Sequence, residues 1–327
     1  MATAHARDPM IQVRGLRKRY GKQQVLDGLD LEVGRGSVFA LLGPNGAGKT
    51  TIVHILSTLV HADGGEVTVA GHDLARHPGR VRAAIGVTGQ FSAVDPVLNG
   101  EENLLLMADL HHLPRREGRR IASGLLRRFD LEDARRKLAM RYSGGMRRRL
   151  DLAMSLVGNP QLIFLDEPTT GLDPNGRRAM WEMIRALAQD GVTIFLTTQY
   201  LDEADALAGS IAVLDRGHLV AQGTAAELKA QVPGGHVSLR FTEPRALRAA
   251  AELPGVVVRN EDGLEIQVRS DGSVRSVRGI LDWLDEHEVP VQELSIHTPD
   301  LDDVFFALTG AAPASGDTEP ELQETRS

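Results

Sequence analysis

An α/β domain followed by a smaller α+β domain is the fold class that this 327-residue sequence predicts, on three observations. Short apolar runs alternate with helical patterns over residues 1–230, which is typical of an α/β domain. Within that part, an apolar run at 37–42 leads through a glycine-rich loop into a helical pattern. After residue 235, a compact series of patterns follows the order β-α-β-β-α-β, which is ferredoxin-like.

The composition is that of a globular chain, with 42% hydrophobic and 25% charged residues. The absence of cysteine excludes disulfides, thiolate metal sites and a cysteine nucleophile. No apolar run approaches the roughly 20 residues of a membrane span, and residues 1–9 lack the apolar segment of a secretory signal. We therefore expect a chain that is soluble by itself.

The predicted elements of the first half begin with two strands around a turn at 20–22. Between residues 97 and 140 the strand signals stop and apolar residues recur at helical spacing, which predicts an all-helical insert. The other predictions for this half are strands at 11–16, 29–33, 37–42, 66–70 and 85–88, and a helix at 49–59.

Strand patterns return in the second half with helical patterns between them, and Thr224 and Glu227 have the spacing of a capping box that opens a helix. The composition of residues 232–235 predicts a linker. The remaining predictions are strands at 162–165, 193–198, 211–214, 236–241, 256–259, 264–268 and 291–296, helices at 244–253, 273–287 and 301–308, and a disordered tail at 311–327.

Charge is distributed unevenly around a net value of −7. Residues 115–149 hold 13 Lys and Arg against 4 Asp and Glu, whereas residues 242–327 hold 7 against 18. The basic stretch is explained either by solvated helix faces or by contact with nucleic acid or another acidic surface.

The glycine-rich loop satisfies the pattern G-x-x-x-x-G-K-[ST] between a strand and a helix, the context that this motif requires. Glycines allow consecutive backbone N–H groups to converge on phosphate oxygens, and the helix N-terminus adds a favourable dipole. Lysine would neutralise the β- and γ-phosphates and the hydroxyl would bind Mg²⁺. The residues are Gly43, Pro44, Asn45, Gly46, Ala47, Gly48, Lys49 and Thr50.

Two carboxylates, Asp166 and Glu167, follow the apolar run at 162–165. A buried strand that ends in acids places them at the ligand-binding edge of an open α/β sheet. We expect Asp166 to hold Mg²⁺, directly or through water, and Glu167 to polarise the attacking water.

Twenty-odd residues before this pair, the run 142–146 (Tyr-Ser-Gly-Gly-Met) resembles the signature of the ATP-binding subunits of ABC transporters. The resemblance covers roughly residues 10–230. It implies a phosphate-loop (RecA-like) ABC ATPase core with antiparallel β and helical subdomains. Ser143, Gly144 and Gly145 would then form a second anion site that completes the ATP bound to another subunit, so two copies would close around two nucleotides.

Further positions match the family one by one. Tyr20 resembles the aromatic residue that stacks on adenine, and the alternative is a tyrosine of the core. Gln90 resembles the glutamine that contacts Mg²⁺ and water, Thr51 extends the nucleotide-binding loop, and 171–173 resembles the D-loop. These matches imply ATP and Mg²⁺ as cofactors.

At the position of the family's switch histidine this chain has Gln199. Glutamine can hydrogen-bond the γ-phosphate or water but cannot carry the positive charge of an imidazolium. We therefore expect slow hydrolysis with intact ATP binding, unless Gln199 is a surface residue without contact to nucleotide.

The stretches 196–204 and 301–310 resemble the daunorubicin-resistance type of drug exporter. This implies an ATPase that powers export of a drug or antibiotic-like compound with a separate membrane permease, as a homodimer at the cytoplasmic face of the membrane. The implied domains are a cassette at 9–232, with a helical subdomain at about 97–150, and an accessory domain at 236–310. The alternative, an ABC-type ATPase acting on nucleic acid, depends on the basic stretch alone, and we expect no nucleic-acid partner.

Overall fold

The computed structural model describes residues 8–89, 93–231 and 235–309, which form two compact units divided between Ala226 and Glu227. The strands of the first unit are β1 (Ile11–Tyr20), β2 (Gln23–Val33), β3 (Val38–Leu42), β4 (Gly64–Val69), β5 (His72–Asp73), β6 (Ile85–Thr88), β7 (Leu162–Asp166), β8 (Thr193–Thr198), β9 (Ser210–Asp215) and β10 (His218–Gly223). The helices up to the division are α1 (Lys49–Leu56), α2 (Pro78–Ala84), α3 (Gly100–Leu110), α4 (Arg115–Arg128), α5 (Gly144–Ser155), α6 (Pro174–Gln189) and α7 (Leu201–Leu207), and α8 (Ala225–Ala230) crosses it.

A six-stranded sheet with the order β10-β9-β3-β8-β7-β6 forms the centre of the first unit. Its strands from β9 to β6 are parallel, and every residue of β3, β7 and β8 is buried. Strands that are buried on both faces read as continuous apolar runs, which is why the sequence identified them. In their core the ring of Phe195 lies 5.2 Å from that of Phe39 and 5.4 Å from that of Phe164.

A second sheet in this unit is antiparallel and has the order β2-β1-β4-β5. Its first two strands form the predicted hairpin. Both are longer than the apolar runs at 11–16 and 29–33, because the remaining residues of each strand are mostly polar or exposed and give no apolar signal. Apart from an isolated bridge between Asn99 and Leu138, the described residues 93–161 form helices and turns, so the all-helical insert is confirmed.

Three short elements of the first unit escaped prediction: β5, α2 and β10. Strand β10 pairs antiparallel with β9 at the edge of the sheet, and its residues alternate between exposed and half-buried. Its apolar run is only three residues long, 219–221, and gave no strand prediction. Helix α1 also ends three residues before the predicted limit, and Thr58 just after it adopts a positive φ of 68°.

The second unit contains β11 (His236–Arg240), α9 (Pro244–Ala250), β12 (Val256–Asn260), β13 (Glu265–Arg269), α10 (Val274–Glu286), β14 (Glu293–His297) and α11 (Leu301–Thr309). Its sheet has the order β12-β13-β11-β14, and each neighbouring pair is antiparallel. A separate apolar core around Val237, Leu239 and Ile266 stabilises it. The predicted linker at 232–235 lies mostly, and the predicted tail at 311–327 entirely, outside the described residues.

Within the described ranges, the helices are all too short or too polar to cross a bilayer.

The aromatic cluster of the central sheet yields a stability prediction. Phe195→Ala should lower the free energy of unfolding of the first unit by about 3–5 kcal/mol, because the ring is fully buried between two others. Each unit has one tryptophan, Trp181 and Trp283, so urea titration of Trp181 fluorescence in a Trp283→Phe background reports on the first unit alone.

Leu110→Ala is the matched control, because 64% of the Leu110 side chain is exposed; it should change stability by no more than about 0.5 kcal/mol. Equal effects of the two substitutions would contradict the assigned core.

Candidate functional site

The glycine-rich loop between β3 and α1 is tightly packed against its neighbours. Gly43 N–H donates to Thr198 O at 3.3 Å, and a Cβ at Gly43 would lie 2.4 Å from Leu214 O. Gly48, which precedes α1, has a φ of 110°, and a Cβ there would lie 2.9 Å from Leu26 Cδ2. The close approach of the Leu214 carbonyl therefore requires glycine at Gly43, and the left-handed conformation favours glycine at Gly48.

The start of α1 has the features of an anion site. Its first turn contains no acidic residue and no side chain caps it, so the dipole and the free N–H groups at this end are not offset. Pro44, Asn45 and Gly46 are exposed beside it. Lys49 Nζ donates to Gly43 O at 2.7 Å and to Pro44 O at 3.2 Å, and Thr50 and Thr51 follow, both half-buried. This arrangement fits the phosphates of a nucleotide.

The carboxylates of Asp166 and Glu167 lie beside this loop at the carboxyl end of β7. Glu167 Oε1 is 3.7 Å from Lys49 Nζ, and the Thr170 hydroxyl donates to Glu167 Oε2 at 3.3 Å. Asp166 is buried and accepts a hydrogen bond from the Thr197 hydroxyl. Burial lowers the pKa of Lys49, and the charges of Glu167 and Asp166 oppose that shift.

The backbone of Glu167 is held in an uncommon conformation, with a φ of 48°. A non-glycine residue in the left-handed region costs about 1–2 kcal/mol, so other contacts must hold it. Its N–H donates to both the carbonyl and the hydroxyl oxygen of Thr197, each at 3.1 Å. Thr197 and Thr170 could not be identified as site residues from the sequence, because a hydroxyl inside a strand or loop belongs to no motif.

Gln199 and Tyr20 both lie at the end of a strand: Gln199 directly follows β8, and Tyr20 is the last residue of β1. The register pairs Leu42 with Thr198, so the half-buried Gln199 comes next to the start of the glycine-rich loop. Tyr20 ends β1 and its side chain is 47% exposed, which excludes the alternative of a core tyrosine. Gln90 lies outside the described residues.

The signature residues begin α5. Tyr142 is buried and its hydroxyl donates to Ala134 O at 2.8 Å, while the Ser143 hydroxyl caps the helix by accepting from Met146 N–H. Gly144 and Gly145 have no atoms within 4 Å of a Cβ position, so this helix start is open.

Ser143, Gly144 and Gly145 line a cavity of about 490 Å³ together with the D-loop residues 171–173. None of residues 43–50 lines this cavity. Within one copy of the chain, the signature and the glycine-rich loop therefore do not share this cavity.

The basic stretch is partly neutralised within the chain. Arg128 pairs with Asp190 and Arg149 with Asp130. These pairs offset part of the positive charge of the stretch, which favours the interpretation as solvated helix faces.

A buried carboxyl group, that of Glu203, lies on α7, the helix that follows Gln199 in the chain. Trp181 Nε1–H donates to Glu203 Oε1 at 3.2 Å, and the side chain is fully buried. Burial raises the pKa of Glu203, and hydrogen bonds together with the charge of Arg177 offset part of that shift.

A model of the family described as ABC transporter matches residues 26–170. The chain is 48% identical to the daunorubicin resistance ATP-binding protein DrrA3 of Streptomyces coeruleorubidus, over 93% of this chain and 96% of that protein. It is 43% identical to the daunorubicin/doxorubicin resistance ATP-binding protein DrrA of Streptomyces peucetius, over 97% of each chain.

Among solved structures, an ATP-binding subunit of an ABC transporter aligns with a TM-score of 0.61 at 30% identity. The alignment covers 68% of this chain and 92% of that one. The ADP form of an ATP-binding cassette, MJ1267, aligns with a TM-score of 0.62 at 23% identity, which shows a shared fold.

The buried Glu203 yields a prediction of pH dependence. Its folded pKa lies above the ordinary carboxyl value, so between the two values the folded chain keeps a proton that the unfolded chain has lost. This group's contribution to stability is therefore full below the ordinary pKa and is lost as the pH rises through the folded pKa. Glu203→Gln should remove that loss. The unfolding free energy of the variant minus that of the parent should therefore increase as the pH is raised from about 4 to about 8.

Asp151 also has a pKa raised by burial, but it is present in both proteins and cancels in the difference. A difference that stays constant over this range would contradict the assignment.

Proposed function

Because the chain belongs to the ABC transporter family, as one of its ATP-binding proteins of the daunorubicin-resistance type, we propose that it binds and hydrolyses ATP to drive drug export. The observation that carries this proposal is the convergence of three side chains at one sheet edge. Lys49 starts α1, Asp166 ends β7, and Glu167 reaches within 3.7 Å of the Lys49 ammonium. A cation and a carboxylate beside an open phosphate-binding loop are what phosphoryl transfer to water requires.

In the proposed reaction, residues 43–51 hold the phosphates of ATP through backbone N–H groups and the start of α1. Lys49 exchanges its loop carbonyl acceptors for β- and γ-phosphate oxygens and offsets their charge. Glu167 orients a water molecule and takes its proton as the water oxygen attacks the γ-phosphorus. The bond from that phosphorus to the bridging oxygen breaks, and ADP leaves with the electron pair.

The oxygen ligands available here fit Mg²⁺, which prefers carboxylate and hydroxyl oxygen. Asp166 and Thr50 would hold it, together with Gln90, and its charge would stabilise the phosphate oxygens. The buried carboxylate of Asp166 accepts only from the Thr197 hydroxyl among the contacts described, which leaves carboxylate lone pairs for a cation.

The exposed ring of Tyr20 suits stacking on adenine, because it offers a face to solvent at the end of β1. The open helix start at Gly144 and Gly145 suits the phosphates of a nucleotide held by a second copy. The separation of this surface from residues 43–50 supports a homodimer in which each site combines two chains.

We extend the proposal to organisation and location. A separate membrane permease would carry the drug and hold this chain at the cytoplasmic face of the membrane. The cassette would span residues 9–232, with a helical subdomain at about 97–150, and an accessory domain would span 236–310. The element order and the strand order β12-β13-β11-β14 support a ferredoxin-like fold for the accessory domain.

Glu167→Gln and Lys49→Ala together test the ATPase. Glu167→Gln should bind ATP as the parent does but lose turnover by at least about 100-fold, because the amide cannot accept the proton. Lys49→Ala should lose nucleotide binding as well. The measurements are steady-state phosphate release and nucleotide dissociation constants for the full chain.

With ATP and Mg²⁺, Glu167→Gln should also accumulate as a dimer in gel filtration, and the same sample without Mg²⁺ is the control. Parent-like turnover in either variant would contradict the assignment of the site, and a monomer throughout would contradict the shared sites.

Gln199 yields a separate test of the switch position. Either glutamine or histidine can donate a hydrogen bond to the γ-phosphate, but only histidine can also become cationic. Gln199→His should therefore leave turnover unchanged or raise it. The increase would be at most about tenfold, which corresponds to about 1.4 kcal/mol of added transition-state stabilisation. Gln199→Ala should lower turnover. The measurement is steady-state ATPase activity of the three proteins, and an Ala variant with the parent rate would show that Gln199 does not contact the reacting group.

A further inference from the structure

Arg148 lies on the second turn of α5 and is surrounded by acceptors. A guanidinium group has five N–H donors in a planar fork. Here each donor has a partner: Nε donates to Pro168 O (2.9 Å), Nη1 to Gly89 O (3.1 Å) and Asp151 Oδ2 (3.4 Å), and Nη2 to Asp166 O (3.0 Å) and Glu167 O (3.2 Å).

Three of these acceptors are the carbonyl groups of the consecutive residues Asp166, Glu167 and Pro168. Three successive carbonyls reach one point only because the chain turns sharply there, and the turn contains the left-handed Glu167. Thr197 holds the N–H side of Glu167, and Arg148 holds its carbonyl side. The two contacts together fix the peptide planes on both sides of the residue that carries the reacting carboxylate.

Asp151, one turn further along α5, completes the group. Its carboxylate is buried, accepts from Arg148 and also accepts from Ala93 N–H at 3.1 Å. The pair therefore contacts Gly89 and Ala93, the described residues on either side of positions 90–92. Burial lowers the pKa of Arg148 and raises that of Asp151, and each charge opposes the shift of the other.

We propose that Arg148, supported by Asp151, is a positioning residue for ATP hydrolysis, which it serves by fixing the backbone of Asp166 and Glu167; this rests on the function proposed above. None of the hydrogen bonds of Arg148 described above goes to a residue of the glycine-rich loop. The effect of Arg148 is on geometry, because a displacement of a catalytic group by about 1 Å can cost on the order of 100-fold in rate.

The position of Arg148 gives this contact a second consequence. It lies on the turn that follows Gly144 and Gly145 at the start of α5. Its hydrogen bonds therefore join the helix that begins at the signature glycines to the backbone of Asp166 and Glu167.

Arg148→Lys tests the proposal, because an ammonium group has three donors and cannot match five planar acceptors. We expect kcat of the full-length chain to fall by at least about tenfold, while the dissociation constant for ATP changes by less than about twofold. Arg147→Lys is the matched control, since Arg147 is the exposed neighbour on the same helix, and it should keep the parent kcat.

Two further measurements separate positioning from folding. Hydrogen exchange of the segment 162–172 should be faster in Arg148→Lys than in the parent, whereas the segment 236–269 of the second unit should be unchanged. Asp151→Asn keeps the shape of the carboxylate and all four carbonyl contacts of Arg148, so its kcat should fall less than that of Arg148→Lys. If Arg148→Lys proves unstable, Asp151→Asn alone tests the pair, and its kcat should lie below that of the parent.

Parent kcat in both Arg148→Lys and Asp151→Asn would overturn the proposal. Equal losses of kcat, ATP affinity and melting temperature would also overturn it, because they indicate a merely structural role.

Glu167→Gln in the same assay distinguishes failure of the positioning role from failure of the proposed function. If Glu167→Gln stops turnover and Arg148→Lys does not change it, the positioning role fails and the ATPase stands. If Glu167→Gln has no effect, the proposed function itself fails.

Discussion

The parallel register of β3, β8 and β7 is the constraint on which the rest of the site depends. It pairs Leu42 with Thr198 and Asp166 with Thr197, so three strands end at one edge of the sheet. Parallel strands that are buried on both faces leave their carboxyl ends as the place where polar groups can meet a ligand. The glycine-rich loop, the two carboxylates and Gln199 meet there because each lies at the end of one of these strands or directly after it.

Motifs whose chemistry is local were predictable from the sequence. The glycine pattern at 43–50 fixes a loop conformation within eight residues, and the apolar run before Asp166 identifies a buried strand. The hairpin and the strands of the second unit also follow from local patterns. Strand β10 did not, because an edge strand with one solvated face needs only a short apolar run, here residues 219–221, which is a weaker signal than the runs of the buried strands.

Residues that act across the fold were not predictable in this way. Arg148 is the middle one of three consecutive arginines, and nothing local distinguishes it from Arg147 or Arg149. Helix geometry turns Arg148 towards Asp166 and Glu167, whereas Arg149 pairs with Asp130. Thr197 likewise reads as one β-branched residue of a strand, and only the strand register shows that its hydroxyl contacts Asp166.

The hydrogen bonds of the glycine-rich loop have a thermodynamic consequence for ligand association. Gly43 N–H is bonded to Thr198 O, and Ala47 O accepts from Gly217 N–H, so strand β8 and the turn before β10 both restrain the loop. Its conformational entropy is therefore lost when the chain folds and not when a nucleotide arrives. Association then has to order chiefly the nucleotide itself and the long side chain of Lys49, which makes this loop a preorganised receptor whose affinity is not diminished by backbone ordering.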